Sequence, residues 1–68
     1  MIHIKELEKR DVGHWVTYTG NGPDAWETGR IKSWNDKYIF VVYKCAGMWD
    51  KFMDYTGVAT NPKDLTAL

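Results

Sequence analysis

Sixty-eight residues make one domain, with little room for both a core and a buried catalytic cleft. Nine basic and nine acidic residues cancel to a net charge of zero, which removes any global pull toward nucleic acid or an anionic membrane. One cysteine, Cys45, excludes an intramolecular disulfide and suits a reducing compartment. No basic and apolar leader opens the sequence, and no apolar run nears the ~20 residues a bilayer span needs, so a soluble cytoplasmic protein without a membrane partner is expected.

In chain order, Lys5 to Arg10 are good helix formers and Ile4 and Leu7 share a helical spacing, which predicts a short helical turn ending at Asp11-Val12-Gly13. A turn that short needs Leu7 docked on the core to persist. His14 to Thr19 alternates as a first strand, with Val16 and Tyr18 on one face and Trp15 and Thr17 on the other. Residues 20–26, with two glycines, Pro23, Asn21 and Asp24, form a loop that carries Trp26 near its end. It lacks the lysine and helix start of a phosphate-binding loop.

Thr28 to Trp34 and Lys37 to Tyr43 are rich in Val, Ile, Tyr, Phe and Trp and predict a hairpin. A tight turn at Asn35-Asp36 pairs Trp34 with Lys37, Ser33 with Tyr38, Ile31 with Phe40 and Gly29 with Val42. Ile31, Phe40 and Val42 then face the core, while Arg30, Lys32, Ile39 and Val41 face outward. A turn one residue longer would flip one strand. Residues 44–56 read as a long connection with a helical turn around Trp49 to Met53. Gly57 to Thr60 is a brief strand, and Asn61-Pro62 caps a final turn. The expected core is Val16, Tyr18, Ile31, Phe40, Val42, Val58 and Leu65.

Four pieces in order, Gly13-x-Trp15-Val16-x-Tyr18, Gly29-Arg30-Ile31-Lys32-Ser33-Trp34, Phe40-Val41-Val42-Tyr43 and Thr60-x-Pro62-x-Asp64-Leu65, resemble SH3-like or Tudor-like barrels over residues 12–68. The resemblance implies an all-β fold: a small SH3-like barrel of four to five strands, with a short N-terminal helical turn and a C-terminal 3-10 turn. The chain also resembles short proteins of tailed bacteriophages and prophages, which implies a phage origin and the host cytosol. Function does not transfer with this fold, because such barrels host many.

Chemistry-bearing residues are sparse. His3 and His14 lack ligand-spaced companions, so no metal and no cofactor is expected, and ordinary surface histidines are the simpler reading. Cys45 with His14 has no orienting third group, and Asp50, Asp54 and Asp64 read as solvated carboxylates, so the protein is not expected to be an enzyme. The rings, at 15 per cent of the chain, outnumber the places a small core offers. Exposed Trp and Tyr mark binding surfaces, and Trp26, Tyr43, Trp49, Phe52 and Tyr55 are the expected protein-binding set. The expected function is a non-catalytic protein-binding module acting on a host or virion protein, with a homodimer through this set or through Ile39 and Val41 as a further use. Resemblance to Tudor-like barrels implies a cage of Trp26, Trp49 and Tyr55 with Asp50 or Asp54 around a methylated ammonium. The alternative function is nucleic-acid binding through Arg30, Lys32, Trp34 and Lys37, a basic and aromatic strand face.

Overall fold

A computed structural model describes all 68 residues. Its strands are β1 (Trp15–Tyr18), β2 (Glu27–Trp34), β3 (Ile39–Val42), β4 (Val58–Thr60) and β5 (Leu65–Ala67). They form one antiparallel sheet in the order β4-β3-β2-β1-β5. β4 and β5 are its edges and do not pair with each other, so the sheet is not closed. All helical segments are short 3-10 turns, and none is long and apolar enough to cross a membrane.

The eight residues of β2 organise the sheet. Its first half, Glu27 to Arg30, pairs with β1, and its second half, Arg30 to Trp34, pairs with β3. Gly29 lies where β3 crosses closest: a Cβ there would sit 2.5 Å from the Val42 carbonyl oxygen and 2.7 Å from a Val41 methyl. Only glycine lets the two backbones approach this closely.

The β2–β3 register differs from the sequence expectation. Trp34 pairs with Ile39, Ser33 with Phe40, Ile31 with Val41 and Arg30 with Val42. Two facts produce the shift. The turn is centred on Asp36-Lys37, closed by Asn35 N–H donating to the Tyr38 carbonyl at 3.0 Å, while Asn35 Oδ1 accepts from the Lys37 and Tyr38 amides, both at 2.8 Å. Asn35 thus acts through its side-chain carbonyl, satisfying turn donors, without a left-handed backbone. Next, the register slips between Ile31 and Ser33, a β-bulge in which Lys32 and Ser33 together oppose Phe40. The bulge puts Ile31 and Trp34, three residues apart, on one face.

Two corrections to the core follow. Ile39 and Val41, expected outside, are fully buried, so they offer no surface for self-association. Phe40, expected at the centre, is only half-buried, and Val58 is 53% exposed. The main cluster is Val16, Ile31, Ile39, Val41 and Leu65, with Ile2, Ile4, Leu7, Tyr18 and Trp34 packed around it. A second cluster, Val42, Cys45 and Phe52, lies under the connection that follows β3. Val41 and Val42 are consecutive and both fully buried, so β3 is covered on both faces at this end. Alternation cannot mark the inner face of such a strand.

The expected N-terminal helical turn is two 3-10 turns, Ile4–Glu6 and Lys9–Asp11, separated by extended backbone at Leu7 and Glu8. Breaking there lets Ile4 and Leu7 both reach the core. The Asp11 side chain accepts from the Glu8 amide at 2.7 Å, and Ile2 N–H donates to the Pro62 carbonyl at 3.0 Å. The C-terminal 3-10 turn, Pro62–Asp64, has Asn61 as its cap, accepting from Lys63 N–H at 3.1 Å. This turn carries the chain from edge strand β4 to edge strand β5.

Candidate functional site

Arg30 and Lys32, the cations of the expected nucleic-acid face, are engaged inside the molecule. Arg30 Nε donates to the Gly13 carbonyl at 2.7 Å and Nη1 to the Trp49 carbonyl at 2.9 Å. Its guanidinium lies 4.4 Å from the Phe52 ring centre and 5.4 Å from that of Trp15. Lys32 Nζ donates to the Tyr55 carbonyl at 2.6 Å. Both side chains therefore fasten the residue 45–57 connection onto β2. Trp34 packs against the main core, and Lys37 is exposed in the turn. The four residues do not form a free basic strip.

The expected protein-binding set also divides. Phe52 is 8% exposed and belongs to the second core cluster, with Trp49 and Tyr55 half-buried against it. Trp49 meets Trp15 at 4.7 Å between ring centres, tilted by 58°. Trp26 is 60% exposed and stands outside both close ring pairs of the protein. Asp50 and Asp54 are exposed on the 3-10 segment, and neither close ring pair joins any two of Trp26, Trp49 and Tyr55, the rings of the expected cage. Cys45 is buried, and the exposed His14 pairs instead with Asp11, Nδ1 to Oδ1 at 3.1 Å.

Tyr43 alone of that set lines a cleft, about 490 Å³ in volume, that opens where the sheet fails to close. All three consecutive residues of β4 line it. Successive strand side chains point to opposite faces, so a cleft touching all three runs along the free edge of the strand. Across from β4 stand Tyr18 at the end of β1 and Asp64 before β5, with Glu27 at the start of β2. Tyr18 and Glu27 are register partners, which places a ring beside a carboxylate at the base of the 19–26 loop. The Tyr18 and Tyr43 rings are 6.2 Å apart and meet edge to face at 70°.

Hydrogen bonds and burial give the cleft its chemical character. The Thr60 hydroxyl can donate to the Val58 carbonyl at 3.0 Å. The Tyr43 and Thr60 hydroxyls share a hydrogen bond at 2.9 Å in which either can be the donor. Burial pushes the Tyr43 phenol above its ordinary range, and the charge of Glu27 adds to the rise. A Thr60 hydroxyl turned to donate to the phenolate offsets part of it. The protein's ion pairs are Arg10–Glu8 and His14–Asp11, so neither Glu27 nor Asp64 has a cationic partner, although Lys44 stands at the rim. Strand parity places Tyr18 in the core, and nothing in the sequence pattern singles out Glu27 or Thr60. A carboxylate pairing with a tyrosine across a glycine-rich loop was the available signal.

No family model, curated protein or solved structure significantly matches this chain.

Proposed function

We propose that this protein is a non-catalytic protein-binding module of SH3-like build, and that it holds its partner at the open seam beside β4. The observation that carries this reading is the cleft itself: an unpaired edge strand, two tyrosines and two uncompensated carboxylates converge where the sheet stays open. An edge strand presents backbone donors and acceptors that a partner segment can use, and tyrosines concentrate binding energy at interfaces. Strand order and the 3-10 turn that joins β4 to β5 support the SH3-like description. The proposed partner is a host or virion protein, given the phage origin that the resemblance implies.

The test is capture from host lysate with the wild-type chain, the variant Ala59→Arg and the variant Trp26→Ala, alongside a solution mass measurement. Ala59 is exposed on β4 and lines the seam, so the arginine blocks the cleft without entering the core. A partner retained by wild type and Trp26→Ala but lost with Ala59→Arg supports the reading. A partner lost only with Trp26→Ala moves the interface to the 20–26 loop. A dimer abolished by Ala59→Arg makes a second copy the occupant.

A further inference from the structure

We propose that Asn21 is a site of spontaneous covalent modification, at which the Gly22 amide nitrogen closes onto the Asn21 side chain and converts it to aspartate and isoaspartate. This goes beyond the binding role of the seam and does not rest on it. The Gly22 nitrogen forms a bond to Asn21 Cγ, the Cγ–Nδ2 bond breaks, and the Gly22 amide proton leaves, by way of solvent, on the departing ammonia. Water then opens the cyclic imide. Breaking the new Cγ–N bond gives aspartate. Breaking the original backbone C–N bond gives isoaspartate, whose chain runs through Cβ. No oxidant or reductant takes part.

The reaction needs a free side-chain amide, an N–H on the next residue and room around that nitrogen. The three asparagines of the chain, Asn21, Asn35 and Asn61, meet these needs differently. Asn61 fails on the second, because Pro62 has no N–H. Asn35 fails on the first. Its Oδ1 accepts from the Lys37 and Tyr38 amides, both at 2.8 Å, which pins the group in the hairpin turn. Asn21 meets all three. It is exposed in the turn that follows Thr19, and its side chain takes no part in the hydrogen bonds that hold Asn35 and Asn61. Gly22 has no β-carbon, and one built there would meet nothing within 4 Å. The restraint on the nucleophile is the bond from Gly22 N–H to the Thr19 carbonyl, whose 3.2 Å lies at the long end for N–H to O bonds. Exposed loop tips open locally at little cost, so ring closure draws on the opened turn. Isoaspartate adds a backbone carbon inside the turn that this bond closes. Either product adds a negative charge to a loop that already holds Asp24 and runs into Glu27, in a chain whose total is zero.

The experiment is incubation of the folded full chain in mildly alkaline heavy-oxygen water at physiological temperature, followed by tryptic peptide mapping. Cleavage after Lys and Arg puts the three asparagines in separate peptides, residues 11–30, 33–37 and 52–63. The 11–30 peptide is expected to lose ammonia, take up one heavy oxygen and resolve into an aspartate and isoaspartate pair of equal mass. The other two peptides should react at least tenfold more slowly. Gly22→Ala, which crowds the attacking nitrogen, should slow the change at least tenfold. Asn21→Gln, which keeps an amide but must close a larger ring, should do the same without touching the positive φ of Gly22. An unmodified 11–30 peptide overturns the proposal, and so does an equal rate at Asn35. Aspartate as the single product, which is what direct attack by water gives, overturns it too.

Discussion

The guanidinium of Arg30 sits 4.4 Å from the centre of the Phe52 ring, and its Nη1 donates to the Trp49 carbonyl three residues earlier. One side chain from β2 thus holds both the ring and the backbone of the segment that covers β3. Arg30→Ala is expected to cost about 2–4 kcal/mol, from hydrogen bonds to a charged group and a partly desolvated cation–π contact. Arg30→Lys should recover little of this, because an ammonium cannot reproduce the planar fork that reaches Gly13 and Trp49 together. Urea unfolding of the two variants measures both. A lysine variant as stable as wild type would show that charge alone suffices.

Gly29→Ala is expected to destabilise by about 3 kcal/mol, since the added Cβ meets the Val42 backbone oxygen, which cannot rotate aside. Gly22→Ala provides the contrast. Gly22 has φ of 91° but open space around it, so its cost is the conformational one, about 1–2 kcal/mol. Thermal melts should rank Gly29→Ala well below Gly22→Ala.

Within β3 the cost of truncation should follow burial, with Phe40 the exception. Ile39→Ala, at a fully buried site, is expected to cost about 3 kcal/mol, in the range for emptied core positions. Phe40→Ala should cost less despite the larger side chain, because Phe40 is only half-buried and belongs to neither core cluster. Phe40→Ala more damaging than Ile39→Ala would restore the unbulged register with its turn at Asn35-Asp36.

Tyr43 gives a pH dependence with a definite sign. Its phenol is raised in the folded state, chiefly by burial, so the unfolded chain gives up the proton first as pH rises. The contribution is fully present below the unfolded value of about 10 and is lost as pH rises from there through the folded value. Stability measured from pH 8 to 11 should therefore fall in the upper part of that window. Tyr43→Phe keeps the ring, removes the titration and should flatten this part of the profile, after allowance for lysines and the other tyrosines.

Sequence by itself determined the all-β class, the four strands before Asn61, the capped turn at Asn61-Pro62 and the inward direction of Val16, Ile31 and Leu65. These follow from local causes: β-branched and aromatic propensity, strand alternation and the side-chain chemistry of a cap. The sequence pattern gives no strand at β5 and puts Val42 on the face of Ile31, whereas Val42 packs in the second cluster. Tertiary structure alone decided the hairpin register, because a bulge at Lys32 and Ser33 depends on how β2 bends to serve both β1 and β3. It also decided which rings are free. Phe52 looks like any surplus aromatic until the connection folds over Val42 and Cys45, and Arg30 looks like a surface charge until Gly13 and Trp49 offer it carbonyls. The cleft was illegible for the same reason. Tyr18, Glu27, Tyr43, Thr60 and Asp64 lie on separate segments, and only the failure of β4 and β5 to pair leaves them facing one open space.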